Sequence, residues 1–357
     1  MVKFFRCIKC LTPSTRPRIK FDKNQICSAC KYNSMKSNQI DWEARNKELI
    51  NLCNKHRKKD GSFDVIVPGG GGKDSSYVAW MLKNKYGMNP ITVCASPPLE
   101  TYIGNKNLIN FSYSGFNVLK ISPNNSISKN IARNGLIKFG QPQINWLFAI
   151  FATPIRVAVD MNIDLVFYGE EAETEYGGST TLENKAKFNL KNIRDFYYSG
   201  INIKNLITKK YVTSDIRYLT LPEKRIFNKK KLDLVHWSYF HKWDELKHLK
   251  LAKKYCSLEE GGGNYSSHNS KFSHLDHNMY FLHMYLAYLK FGFGRATTDT
   301  SISIKQGEIS MLEAKKIIKK YDHQFPEEHL EDYLNYFNMK KSYFFKILES
   351  HRNKEIF

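Results

Sequence analysis

The sequence contains no hydrophobic run able to cross a bilayer. Its most apolar stretch, residues 144–159, is interrupted by Asn145, Pro154 and Arg156 and falls short of the roughly 20 residues required. The opening residues MVKFFRCIKC are basic but carry no apolar core, so no secretory signal and no membrane partner are expected, and the expected location is cytoplasmic. Internal repeats and low-complexity tracts are missing too. Acidic residues are scarce: 34 Asp and Glu stand against 55 Lys and Arg, a formal charge of +21. Such a field attracts polyanions, including nucleotides and nucleotide sugars, yet the lysines are spread along the chain as on a generic solvated surface. Hydrophobic residues at 42% and charged residues at 25% exclude wholesale disorder, collagen and coiled coil, and 357 residues suit about two globular domains.

Cysteine is sparse but patterned. Of the seven, Cys7, Cys10, Cys27 and Cys30 form two Cys-x-x-Cys pairs separated by sixteen residues. Two cysteines three apart on a tight turn aim both sulfurs at one point, and two such turns complete a tetrahedron around Zn²⁺. Four thiolates leave no open position, so the metal is expected to be structural. Cys53, Cys94 and Cys256 are scattered and read as buried or incidental thiols.

Residues 40–57 carry the apolar spacing of a linking helix. Four short apolar runs follow, at 63–68, 91–95, 117–121 and 164–169, separated by helical patterns at 75–86, about 106–116, 126–139 and 144–161. This alternation predicts an α/β fold with a doubly wound parallel sheet. Ligands in such sheets bind beyond the strand carboxyl ends, which places loops 69–75, 96–105, 122–125 and 169–178 around one crevice. From about 180 to 260 basic helical segments are expected, with 259–264 as a loop. Helices are expected at 275–289, 311–321 (opened by a Ser310–Glu313 capping box) and 327–337. The resulting division is a four-cysteine zinc-ribbon module at 1–40, a linking helix at 41–60, an α/β domain at 61–265 and a helical region at 266–357.

The first strand runs directly into Gly69-Gly70-Gly71-Gly72-Lys73-Asp74-Ser75-Ser76 and then a helix. Glycines let a backbone approach an anion closely, and the helix start presents unpaired N–H groups to phosphate oxygens. The loop is neither a Walker A motif nor G-x-G-x-x-G. It resembles the S-G-G-x-D-S loop of the ATP pyrophosphatase (PP-loop) superfamily, with Gly70 in place of the usual first Ser. That resemblance implies a PP-loop, adenine nucleotide α-hydrolase-like fold and ATP cleavage between the α and β phosphates.

Further residues narrow the resemblance: Gly140-Gln141-Pro142, Tyr168-Gly169-Glu170-Glu171, Glu175-Tyr176-Gly177-Gly178, the run FGFGRAT at 291–297 and the terminal RNKEIF. With the ribbon, they resemble the WbpG/PseA-like N-acetyl sugar amidotransferases of surface-polysaccharide and flagellin-glycan biosynthesis. The resemblance implies conversion of an acetamido sugar to an acetamidino sugar, with ATP and Mg²⁺, and with ammonia from a separate glutaminase resembling imidazole-glycerol-phosphate synthase subunits. Within it, Gly70, Gly71, Gly72, Ser75 and Ser76 are expected to bind pyrophosphate. Lys73 and Arg295 are expected to supply positive charge, and Asp74 to orient the loop or the metal. Glu170 and Glu171 are expected to position Mg²⁺ or deprotonate ammonium, and Tyr176, Gly177 and Gly178 to line the sugar pocket. His274 and His277, beside Asp276, are expected to face solvent. The rival reading is a tRNA-modifying PP-loop enzyme, a thiolase or lysidine-type ligase; nucleic acid is otherwise not expected as a partner. A noncatalytic scaffold is the remaining alternative.

Overall fold

The computed structural model describes residues 4–261 and 271–357. Six strands form one sheet: β1 (Val65–Pro68), β2 (Pro90–Ala95), β3 (Asn117–Ile121), β4 (Leu165–Tyr168), β5 (Lys187–Phe188) and β6 (Asp233–His236). Their order is β3-β2-β1-β4-β6-β5, all parallel except the β5 edge. The period of two along each strand divides the core. Ile66, Ile91, Val166 and Leu234 face one layer; Val65, Val67, Leu165, Phe167 and Val235 face the other. Helices cover both faces, as continuous apolar strands require. Against the first face lie α5 (Asn125–Phe139) and α6 (Ile144–Asp160), and against the second α2 (Trp42–His56), α3 (Lys73–Asn84), α4 (Tyr102–Tyr113) and α11 (Glu245–Cys256). Thus α2, expected to link domains, buries Leu49 and Cys53 in the sheet's own core.

Strands β5 and β6 lie where basic helical segments were expected. Among the described residues the only helices between β5 and α11 are short: α8 (Leu190–Asn192), α9 (Lys224–Lys229), α10 (Trp237–Phe240) and a few 3-10 and π turns. A four-residue strand beside the Lys229–Lys231 cluster leaves too little periodicity to read. Of the loop expected at 259–264, residues 262–264 lie outside the described residues.

The second Cys-x-x-Cys turn opens α1 (Ser28–Asn38), with Cys27 at its N-cap. At the other end, α12 (Met279–Phe291), α15 (Leu330–Phe337) and α16 (Lys341–Ser350) bury Leu282, Leu286, Tyr333 and Phe344 against Ala132 and Leu136 of α5. Between them runs α13 (Arg295–Gln306), followed by α14 (Met311–Tyr321) with its capping box in place. The sequence reading missed α13. RATTDTSISIKQ is rich in Thr, Ser and Ile, which lower helix propensity. Its hydroxyls are instead satisfied internally: Thr300 donates to the Ala296 carbonyl (2.7 Å) and Ser301 to that of Thr297 (2.7 Å). Ser301 also bonds the Cys10 carbonyl, and Thr12 donates to Ser301 (3.1 Å), so the cysteine module is docked on α13 rather than hung from a linker.

Candidate active site

The direction of chain progression in the sheet reverses between β1 and β4, and a cleft of about 990 Å³ opens beyond the carboxyl ends of those strands. Gly72 caps α3, so the loop 69–72 delivers the first turn of that helix into the cleft. Gly71 has φ +76°, and a Cβ there would lie 2.7 Å from the Leu108 Cα on α4; the position admits only glycine. Gly70, Gly72 and Ser75 line the cleft, with Gly72 in open space. Gly71 itself is turned toward α4. Ser76 is fully buried, its hydroxyl against the Cys256 thiol, and does not reach the cleft. Its expected role in binding is thus corrected: the helix turns Ser76 toward the sheet.

Lys73 sits at the centre of a charged network. Its Nζ lies 2.6 Å from the Asp74 carboxylate and 3.4 Å from that of Glu245 on α11. Burial alone would lower the Lys73 pKa, but the two carboxylates outweigh it and leave it raised. Asp74 also meets His248 Nδ1 at 2.8 Å. Burial pushes Asp74 up, yet Lys73 and His248 bring it down to about 2. Glu170, at the end of β4, is raised to about 7 by burial and then by the Asp74 charge. The Tyr176 hydroxyl donates to it at 3.4 Å.

Glu171 is not in the cleft. Its carboxylate accepts from the Glu173 and Thr174 amides (3.2 and 2.8 Å) and caps the short helix α7 (Ala172–Tyr176). Burial raises it to about 7 despite those bonds. The chemistry expected of Glu171 is therefore replaced by an N-cap role. Gly178 also stays out of the cleft: a Cβ there would meet the Glu173 carboxylate at 2.3 Å. Gly177 (φ +88°) does line it, and packs on Ile19 and Ala29 of the cysteine module.

Arg295 reaches the cleft from the start of α13, donating to the Tyr280 hydroxyl (2.7 Å) and pairing with Asp299 (2.6 Å). His277 is fully buried with its ring 4.5 Å from Trp146, and His274 stacks on Tyr280 at 3.7 Å on the cleft wall. Both were expected to face solvent. The reason they do not is that helix α12 starts only at Met279. The preceding stretch is pinned across α4, where the Thr101 amide donates to the Asp276 carbonyl (3.1 Å) and Gly104 leaves no room for a Cβ against Asp276. Burial lowers the pKa of both imidazoles. Loop 122–125 lines neither cavity, because β3 is the far edge of the sheet. Arg16, Glu245, His248, Tyr280 and Lys290 were not anticipated; each lies far in sequence from the glycine loop and carries no local motif.

A narrower slot of about 220 Å³ adjoins the loop, lined by Gly70, Val93, Cys94, Phe151 and Tyr168 among others. The Cys53, Cys94 and Cys256 thiols are buried and pushed up to about 12, 12 and 11 by that burial. The sulfurs of Cys7, Cys10, Cys27 and Cys30 lie within 4.8 Å of one another, and the Cys7–Cys30 and Cys10–Cys27 separations are 3.8 and 3.5 Å. Four sulfurs about 2.3 Å from one metal ion would be spaced by roughly 3.8 Å, so the set fits a tetrahedral ion. Among the described residues no helix is long and apolar enough to cross a membrane.

A mostly parallel α/β sheet, a glycine turn from its first strand into a helix and a cluster of four cysteines are the fold features expected from the sequence. Residues 266–357 match the family described as LPS biosynthesis protein WbpG-like, C-terminal domain. No curated protein matches the chain. Among solved structures, the chain is similar to the U34-tRNA thiolase NcsA from Methanococcus maripaludis with its [4Fe-4S] cluster, at 14% identity and a TM-score of 0.35 over 89% of each chain.

Proposed function

We propose that the protein is an ATP-dependent, AMP-forming amidotransferase that converts an acetamido group of a sugar to an acetamidino group. The observation that carries the reading is the glycine turn opening α3 into a cleft walled on its other side by the WbpG-like region. The amides at the head of α3 suit the departing pyrophosphate, with Lys73 and Arg295 as the nearby cations. The narrow apolar slot beside Gly70 suits the adenine base. Mg²⁺ would neutralise phosphate charge beside Asp74 and Glu170, and Zn²⁺ would hold the four thiolates as a structural ion.

An amide oxygen is a poor leaving group. Its attack on the ATP α-phosphorus, with release of pyrophosphate, gives an O-adenylyl imidate. Ammonia then adds to the imidate carbon, AMP leaves with the oxygen, and an amidine remains. Glu170, with a pKa near 7 and a place on the cleft wall, is suited to take the proton from incoming ammonium. Ammonia would come from a separate glutaminase. The thiolase reading wants sulfur chemistry in the cleft, and none of Cys53, Cys94 and Cys256 lines its larger part.

The test is incubation with ATP, ammonium and acetamido sugars, followed by nucleotide analysis. AMP and pyrophosphate are expected, whereas release of ADP overturns the reading. Gly71→Val is expected to lower turnover by at least about a hundredfold, since its side chain must displace the α4 backbone that shapes the phosphate site.

A further inference from the structure

Five cations line the large cleft: Arg16, Arg18, Lys73, Lys290 and Arg295. Three have carboxylate partners. Arg18 pairs with Glu173 (2.5 Å), Lys73 with Asp74 and Glu245, and Arg295 with Asp299. Among the described residues Arg16 and Lys290 have none, although both are half-buried. A cation withdrawn from water without a counter-charge is costly, and proteins accept that cost where an anion is to be bound.

Both side chains are also held in place by other means. Arg16 donates from Nε to the Gly177 carbonyl (2.5 Å) and lies over the Phe293 ring at 5.3 Å, which leaves its two terminal nitrogens as donors. Lys290 Nζ donates to the carbonyls of Phe139 (3.2 Å) and Gly140 (2.9 Å) at the C-terminal end of α5. Burial lowers Lys290 to about 8. The anchoring groups belong to the segments singled out in the sequence: Gly140, Gly177 and the Phe293 of FGFGRAT.

We propose that Arg16 and Lys290 form an anion subsite for the sugar substrate, binding a carboxylate or phosphate group it carries, and that the cysteine module is thereby part of the substrate wall. Arg16 lies between the two Cys-x-x-Cys pairs, so the metal fixes the turn that presents its guanidinium. The subsite deepens the amidotransferase reading and rests on it for the identity of the ligand as a sugar. A neutral acetamido sugar gains nothing at this wall, because it leaves two half-buried cations without a direct ion pair, Arg16 having only the more distant Glu173 charge, whereas an acidic or nucleotide-linked sugar pairs with them.

The test is equilibrium binding to the full chain with its metal, using N-acetylneuraminic acid, UDP-N-acetylglucosamine and neutral N-acetylglucosamine as probes. A non-hydrolysable ATP analogue is titrated separately. At least one anionic probe is expected to bind tenfold or more tighter than N-acetylglucosamine. Arg16→Gln and Lys290→Met are each expected to remove most of that difference while the affinity of the ATP analogue stays within about threefold. Equal affinity for anionic and neutral probes, absence of anionic binding at 10 mM, or a preference that survives both substitutions overturns the subsite. Failure of the wild-type chain to bind the ATP analogue instead overturns the amidotransferase reading and leaves the anion result to stand by itself.

Discussion

The wall of the cleft formed by residues 69–75 is assembled from neighbours in sequence, whereas the opposite wall draws Arg16, Tyr280, Lys290 and Arg295 from the cysteine module and two C-terminal helices. The first wall needs only a strand, a turn with φ +76° at Gly71 and the head of α3. The second exists only once the cysteine module has docked on α13 through Thr12, Ser301 and the Cys10 carbonyl. A buried pair, Lys36 with Glu175 (2.5 Å), ties the same module to α7, and Lys305 of α13 donates to the Glu175 carbonyl (2.6 Å). The first wall is a local construction, the second rests on contacts spanning nearly the whole chain, and under the proposed function, with phosphate at the first and sugar at the second, the two walls should fail separately.

Loss of the metal should separate them most. Structural Zn²⁺ contributes about 10–16 kcal/mol of apparent binding energy in isolated zinc-finger peptides, and without an ion the two turns are joined by few bonds, such as that from the Ile8 amide to the Gln25 carbonyl (3.3 Å). Cys27→Ser is expected to abolish stoichiometric metal and to expose residues 5–30 to protease. It should also lower sugar-dependent AMP formation by more than about a hundredfold. Affinity for the ATP analogue should change far less, because no atom of the module forms the glycine loop. Metal analysis, limited proteolysis and nucleotide titration on one sample check all three. An equal collapse of ATP-analogue binding would show that the walls are one cooperative unit.

This asymmetry also sets what the sequence could disclose. The glycine loop, the four parallel strands first read and the four cysteines are encoded in spacing, and spacing survives without knowledge of the fold. Ser76 and Glu171 were misread because residue type alone does not show which way a side chain leaves a helix end: Ser76 turns to Cys256, and Glu171 turns onto the Glu173 and Thr174 amides. Helix α13 was invisible because its hydroxyls, poor helix formers in water, are bonded inside the protein. Arg16 carries no local signal in the sequence. Only the approach of Gly177 and Phe293, 161 and 277 residues further along, gives it a position.

The pH dependence offers a smaller effect confined to the glycine-loop side. Burial and the Asp74 charge hold the Glu170 pKa near 7, above its ordinary 4.5. A carboxyl whose pKa is raised on folding favours the native state while it stays protonated. Its contribution is complete below pH 4.5 and is lost as the pH rises through 7. Glu171, also near 7, acts with the same sign. Glu170→Gln keeps the neutral form at every pH, so its melting temperature should match wild type below pH 4.5 and exceed it at pH 8. Curves that stay parallel across that range would mean Glu170 is already ionised in the folded protein, with a cation or solvent compensating it.

The smallest effect is expected at Gly70, where the PP-loop motif that the sequence resembles has a serine. A Cβ there would meet only the Cys94 Sγ, at 3.8 Å, which is ordinary contact, and Gly70 is not among the glycines with positive φ. Neither sterics nor backbone conformation therefore demands glycine, in contrast to Gly71 next to it. Gly70→Ser should leave stability within about 0.5 kcal/mol. Gly70 lines both the large cleft and the apolar slot, so an added hydroxyl can reach a bound nucleotide. One hydrogen bond contributes about 0.5–1.5 kcal/mol, which corresponds to roughly two- to tenfold tighter binding of the ATP analogue. A weakening instead would mean that the missing side chain makes room for the nucleotide, and that this wall, too, is shaped by more than its neighbours in sequence.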